Sequence, residues 1–370
     1  MRLGVAARAR VSGASFIRSK MLHAMQVAQP SHPPFEAAPL AAAPARVAKV
    51  VYFVASHVNP PQVARLVRAL RTGNPESRVV IHHDEKVSHL DPATVLEFGN
   101  VEMLPAMPVQ WGQFISSRMV LSAIEWICAH HDFDYVIYLS GQDYPIKPLA
   151  QIERELGEQV GRTDAFCDVT PARQSQWHLG PERYLYRYYD LPRLPGLMKL
   201  RKRMQRRSNK VRALAERQRR NPDPLPRFHV ARDRYGDRKI GVRMPAGLFG
   251  PRGLTVYAGS AWWTISKRAA EHVTRFFRHH RAVANHYRRV LFAPSESMIP
   301  TILLNAPHLT SRGNDHKRFI RWSNPRSGHP DLLTADDFQT LVASPHHFAR
   351  KIDGSRDARL LDLLDRHIGA

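Results

Sequence analysis

Tyr135-Val136-Ile137-Tyr138-Leu139-Ser140-Gly141-Gln142-Asp143-Tyr144-Pro145-Ile146-Lys147 is the stretch whose reading decides the fold. Its opening run of β-branched and aromatic residues predicts a buried strand. The run breaks at Ser140-Gly141 into a polar loop that carries Asp143, with Lys147 ahead of a proline. In open α/β sheets ligands bind in the crevice beyond the carboxyl ends of the strands. The loop therefore reads either as one wall of a site or as an ordinary strand-to-turn corner.

Working outward, the same pattern repeats. Val50 to Ala55 reads as a buried strand, and Asn59-Pro60-Pro61 opens a helix with Val63, Leu66, Val67 and Leu70 on one face. Val79 to Asp84 reads as the next strand. A helix from about Ser116 to His130 turns Met119, Val120, Ala123, Ile124 and Ile127 toward a core, and the Tyr135 strand follows. Strand and helix in alternation predict a mostly parallel α/β sheet. Further on, Val256 to Ser266 reads as a strand passing a Gly-Ser. A helix with Ala269, Ala270, Val273, Phe276 and Phe277 on one face comes next. Ala293-Pro294-Ser295-Glu296-Ser297 then starts a helix with Glu296 in its first turn, where a carboxylate suits the positive helix end.

The chain of 370 residues can bury a sizeable core as one large domain or two. No stretch approaches the roughly 20 apolar residues of a membrane-spanning helix. Cys128 and Cys167 make no disulfide framework, which fits a reducing cytoplasm. The formal charge of +23 attracts polyanions: nucleic acid, anionic headgroups or phosphorylated substrates. An Ala- and Arg-rich composition is also what a GC-rich bacterial genome produces.

Residues 1–47 read as a disordered basic leader, with Pro30, Pro33, Pro34, Pro39 and Pro44 and no apolar periodicity. They lack the apolar core of a secretory signal but share the Arg-rich, acid-poor character of organellar transit peptides. Residues 48–355 form the expected domain and 356–370 a C-terminal helix or tail. Between Lys199 and Arg220, 11 of 22 residues are Lys or Arg. The insertion around 195–225 reads as a solvated helix or as a surface for anionic lipid.

Five motifs occur in a telling order: His82-His83-Asp84-Glu85-Lys86, Trp111-Gly112-Gln113-Phe114, Leu139 to Pro145, Tyr257-Ala258-Gly259-Ser260-Ala261-Trp262-Trp263, and Pro294-Ser295-Glu296-Ser297. With Phe319-Ile320-Arg321-Trp322 and Phe348-Ala349-Arg350-Lys351-Ile352-Asp353, the set resembles the Core-2/I-branching β-1,6-N-acetylglucosaminyltransferase family. This is glycosyltransferase family 14, which also contains peptide O-xylosyltransferases. The resemblance spans residues 49 to 355. It implies a GT-A-like nucleotide-sugar transferase fold, with a mostly parallel central sheet flanked by helices, and no Asp-x-Asp metal motif. In agreement, Asp132-Phe133-Asp134 precedes its strand rather than following it.

The resemblance further implies an inverting transfer from a UDP-sugar that needs no cofactor and no divalent metal. The negative charge that builds on the departing diphosphate then falls to basic side chains. Lys351 matches the family's lysine; for its arginine, Arg326 fits by spacing, with Arg321 and Arg318 as competitors. Glu296 matches the catalytic base, its other reading being a helix cap. Asp84 matches the residue that pairs with uracil. Val54 and Ser56 lie beside the base, and Asp143 completes the nucleotide contacts. Glu182, Arg183 and Trp322 match acceptor-binding positions. Trp111, Gly112, Gly141, Gly259 and Ser260 belong to the structural motifs.

The expected partners are UDP-GlcNAc or UDP-xylose and a glycan, glycolipid or protein acceptor, with no nucleic acid. Animal members carry a membrane anchor and several disulfides, and neither feature is present in these residues. A bacterial, cytoplasmic member peripheral to the inner membrane is the resulting expectation. The rivals are a UDP-xylose-dependent peptide xylosyltransferase, a nucleic-acid-binding protein, and an inactive member acting as a glycan-binding module.

Overall fold

The computed structural model describes residues 46–174, 180, 182–190, 206, 225–233, 235–244, 248, 253–324 and 328–370. The leader through residue 45, the basic insertion apart from Arg206 and Leu225, and Arg326 fall outside the described residues.

The strands are β1 (Val50–Ser56), β2 (Arg78–His83), β3 (Val101–Met103), β4 (Tyr135–Ser140), β5 (Tyr144–Pro145), β6 (Ala165–Pro171), β7 (Tyr186–Asp190), β8 (Phe228–Arg232), β9 (Arg238–Arg243), β10 (Tyr257–Ser266), β11 (Ser311–Gly313), β12 (Arg318–Ile320) and β13 (Phe348–Arg350). A seven-stranded central sheet runs β11-β6-β10-β4-β1-β2-β3. Its pairs are parallel except those of β10, which lies antiparallel to both β4 and β6. The expected mostly parallel sheet flanked by helices is the observed architecture. Two three-stranded sheets, β12-β13-β5 and β7-β9-β8, complete it.

The continuous apolar runs read from the sequence are buried on both faces, as strands covered by helices on either side must be. Along β1, Val51 and Phe53 enter one core while Val50, Tyr52 and Val54 enter the other. β4 alternates likewise, with Val136 and Tyr138 opposite Tyr135, Ile137 and Leu139. The first core is closed by helices Phe114–His130 and Lys267–His279. The second is closed by helices Pro60–Leu70, Leu149–Gly157 and Ala358–Ile368. Asn59 caps the first of these, its side chain accepting from the Gln62 N–H, with prolines in the first turn. The helices expected from Pro60, Ser116 and Lys267 all form, the second starting two residues earlier at Phe114. Among the described residues no helix is long and apolar enough to cross a membrane. Both cysteines are free thiols, Cys167 buried and Cys128 partly so.

β10 explains the Gly-Ser it contains. Its pairing with β6 shifts register between Gly259 and Trp263, a bulge in which Ser260 Oγ accepts from the Trp262 N–H at 3.2 Å. A Cβ on Gly259 would sit 2.0 Å from the backbone oxygen of Asp168. Gly259→Ala should therefore cost about 3 kcal/mol, the upper range of overpacking. The check is a lowered midpoint of urea unfolding; an unchanged midpoint would mean that the strands separate freely here.

Candidate active site

The motifs read from the sequence converge on one edge of the central sheet. β1, β2 and β4 all end there, at Ser56, His83 and Ser140. Antiparallel β10 begins there, since Tyr257 pairs with Pro171 at the end of β6.

At the end of β2, Asp84 is 4 % exposed. Its N–H donates to the Ser56 carbonyl at 2.9 Å, and its carboxylate accepts from the N–H groups of Lys86 (3.2 Å) and Val109 (2.9 Å). His82 Nε2 accepts from the Met107 N–H at 3.0 Å. Strand β2 thus anchors the segment that leads to Trp111. Val54 lies inside the sheet, fully buried, whereas Ser56 reaches the strand end and its Oγ meets His83 Nδ1 at 2.8 Å. His57 follows. Burial lowers its pKa, Asp84 opposes that shift, and His83 and Lys351 reinforce it.

Gly112 adopts φ +80°, and a Cβ on it would fall 1.9 Å from the Phe292 ring. The motif needs glycine on both counts. Trp111 meets the same ring edge-on at 4.8 Å, and the Gly112 carbonyl accepts from the Ala293 N–H at 2.7 Å. That contact seats the turn carrying Glu296. The sequence placed Glu296 in the first turn of a helix. It lies instead in a 3-10 turn, Pro294–Glu296, ahead of helix Met298–Leu304, which has no side-chain cap. Ala293 at φ +42° redirects the chain before the helix can start. Ser297 Oγ donates to the Tyr257 carbonyl at 2.6 Å, which ties the turn to the start of β10.

The Glu296 carboxylate is paired rather than capping. Arg183 Nη2 donates to Oε2 at 2.5 Å, and the Tyr184 hydroxyl lies 3.4 Å from the same oxygen. Burial pushes the carboxyl pKa up, while Arg183 and Tyr184 oppose the shift. Glu182 and Arg183 are both buried, in the short helix Glu182–Leu185.

The loop after β4 departs from expectation. Asp143 was expected to contact the nucleotide, but its side chain is fully buried. Oδ2 accepts from the Ser140 N–H at 2.7 Å and the Ser140 hydroxyl at 2.5 Å, with Arg350 Nη1 at 3.3 Å. Arg318 Nε lies 3.5 Å from Oδ1, an ionic contact without hydrogen-bond geometry. Asp143 is therefore a structural anion enclosed by two guanidiniums. Arg321, a candidate for the diphosphate, is held by Asp331 (3.3 Å) and Asp337. Arg318, its competitor, is buried. Trp322 is 46 % exposed. Asp132 and Asp134 lie at the opposite sheet edge, where Asp134 accepts from the Lys49 N–H ahead of β1 at 2.9 Å. Among the described residues no group of three or more His, Cys, Asp or Glu side chains is placed to hold a metal ion.

Two residues were missed. Gln62 is 3 % exposed and joins three segments. Its Nε2 donates to the carbonyls of Gly141 (2.9 Å) and Ile352 (3.0 Å), and its Oε1 accepts from the Gly354 N–H at 2.7 Å. The sequence did carry a signal: Gln62 is four residues before Leu66, a polar residue on an apolar stripe. Gly141, close under Ser56 and Val63, leaves that approach open. Trp262 lies over the Arg350 guanidinium at 4.0 Å and packs on Tyr138 at 5.0 Å. Because β13 ends in Arg350, these contacts hold Lys351 at the same edge.

The protein is thus a mostly parallel α/β protein whose sheet ends in an acidic strand end at its carboxyl edge, the side on which open α/β sheets bind ligands. The model of the Core-2/I-Branching enzyme family matches residues 50–342, and the chain belongs to that family. It is 34% identical over 120 residues to beta-glucuronosyltransferase GlcAT14B of Arabidopsis thaliana, covering 32% of this chain and 27% of that protein. Xylosyltransferase 1 of Canis lupus familiaris is 24% identical over 320 residues, covering 78% of this chain and 27% of its own length. The chain thus spans between 15% and 27% of the length of the curated relatives it matches. Among solved structures, mannosyltransferase PcManGT of Pyrobaculum calidifontis aligns with a TM-score of 0.26 at 10% identity, over 35% of this chain and 37% of that one.

Removing the buried anion tests the site's foundation. Asp143→Ala would strand Arg318 and Arg350 without their counter-charge. Denaturant unfolding should show a loss of about 3–5 kcal/mol, the cost of breaking a buried pair from one side. A loss below about 1 kcal/mol would mean that water enters the cluster.

Proposed function

We propose that this chain is an inverting glycosyltransferase. It moves a sugar from a UDP-sugar to a hydroxyl of a glycan, glycolipid or protein acceptor, without a divalent metal. The observation that carries this reading is the Glu296 carboxylate, anchored through one oxygen at the carboxyl edge. A general base needs a fixed position and a pKa near the working pH.

In the proposed step, Glu296 takes the proton of the acceptor hydroxyl. The hydroxyl oxygen bonds to the anomeric carbon as the bond from that carbon to the diphosphate oxygen breaks. The electron pair leaves with UDP, whose growing charge Lys351 meets, in partnership with Arg326. Arg321 already faces two carboxylates, which favours Arg326 for that role. Asp84 selects the uracil ring through lone pairs left by its backbone contacts, and Trp322 offers an exposed face for an acceptor sugar. The donor sugar is GlcNAc or xylose. The names of the plant relatives add glucuronic acid as a third candidate sugar.

Calorimetry of UDP, UDP-GlcNAc, UDP-xylose and UDP-glucuronic acid with EDTA present tests the reading. Micromolar binding of one sugar nucleotide is expected, and binding of none would overturn the reading. Glu296→Gln should leave UDP affinity intact and reduce turnover by about 10²- to 10⁴-fold. Lys351→Ala should weaken UDP binding by about tenfold, or roughly 1.4 kcal/mol. Turnover lost with EDTA and restored by manganese would refute the metal-free mechanism.

The pH dependence follows from the raised Glu296 pKa. Only the ionised carboxylate accepts a proton, so activity is present above this pKa and lost as pH falls through it. The acid limb of the pH–rate profile should therefore lie above the ordinary glutamate value of 4.5. A limb below that value would count against Glu296 as the titrating base.

A further inference from the structure

Arg183 was expected to touch the acceptor, but its surroundings assign it elsewhere. The side chain is buried and turned toward the segment ahead of Glu296. Nε donates to the Phe292 carbonyl at 3.0 Å while Nη2 donates to Glu296 Oε2 at 2.5 Å. The guanidinium also lies against the Tyr184 and Phe292 rings, 4.9 Å from each centroid. The Arg183 carbonyl accepts from the Leu291 N–H at 3.3 Å, and the Tyr184 hydroxyl approaches the Ala293 carbonyl at 3.3 Å. One two-residue unit thus holds residues 291–293 and the carboxylate together.

All the recorded contacts to this carboxylate fall on Oε2, and Oε1 has no partner among the described residues. The Glu296 side chain keeps 20% of its surface exposed. Turning the carboxylate would break both contacts to Oε2, so they favour one direction for its second oxygen. Ordering of this kind is worth more to a reaction than an extra substrate contact, because the base meets the hydroxyl already aligned.

We propose that Arg183, supported by Tyr184, is a positioning residue that clamps Glu296 through Oε2 and leaves Oε1 as the atom that receives the acceptor's proton. The inference rests on Glu296 being the base. It moves Arg183 from acceptor recognition to control of the base, so its loss should act on turnover rather than on binding. Arg183 also favours the ionised carboxylate in a site whose burial disfavours it. Without that charge the carboxyl should titrate at higher pH.

The test compares wild type, Glu296→Gln, Arg183→Gln, Arg183→Lys and Tyr184→Phe. Each is read by UDP calorimetry, by UDP release from the donor sugar with water as acceptor, and by carbon NMR titration of glutamate carboxyls. The Glu296 resonance is assigned by its absence in Glu296→Gln. Arg183→Gln should lower the rate constant about 100-fold with unchanged UDP affinity. It should also move the Glu296 titration and the acid limb up together by about one pH unit or more. Arg183→Lys should restore the titration but only part of the rate, because an ammonium lacks the planar fork. Tyr184→Phe should produce a smaller loss in the same direction.

A normal rate and titration in Arg183→Gln would overturn the proposal, whereas full activity in Glu296→Gln would overturn the reading beneath it. If Arg183→Gln fails to bind UDP because it does not fold, Arg183→Lys and Tyr184→Phe decide the matter. Wild-type rates and pH profiles in both would overturn the clamp.

Discussion

Asp143 bears the arrangement of the site more than any residue that faces solvent. It is a fully buried carboxylate at the end of a central strand. Removing a charge from water costs several kcal/mol even after the protein relaxes, so it must be matched by opposite charge and hydrogen bonds. Arg350 and Arg318 supply the charge, one from the end of β13 and one from the start of β12. Their own burial lowers both guanidinium pKa values, that of Arg318 to about 10. Arg318 donates besides to the carbonyls of His316 (2.8 Å) and Tyr138, and Trp262 covers the face of Arg350. The cluster fastens the small β12-β13-β5 sheet to the central sheet. Lys351 is then carried to its place as the next residue along.

The same edge is assembled from both sides of the sheet. Gln62 ties the loop after β4 to residues 352–354 from the helix side. Asp84 and His82 anchor the Trp111 segment from β2, and Gly112 passes that anchorage to the Glu296 turn. Each tie involves a buried polar group, and such groups are held in place because leaving one unpaired costs about 1–3 kcal/mol.

Much of this was legible beforehand. The runs at Val50, Val79 and Tyr135 announced central strands because consecutive apolar residues fill both buried faces, with polar residues entering only toward the carboxyl ends. Asn59-Pro60-Pro61 announced a helix start because the prolines and the cap act locally. The ordered motifs marked the family, whose model matches residues 50–342. The antiparallel direction of β10 and the short strands β5, β11, β12 and β13 were not legible. A two- or three-residue strand has no periodicity to detect, and its pairing energy comes from partners far along the chain.

The sequence by itself determined the alternation of strand and helix, the apolar faces and the family motifs, since these follow from local stereochemistry and spacing. Only the tertiary structure decided what the charged residues do. Asp143 and Arg183 read alike as ligand contacts, yet one became the buried counter-ion of two arginines and the other the partner of Glu296. A charge acts on whatever lies within a few ångströms of it, and folding alone settles which residues those are.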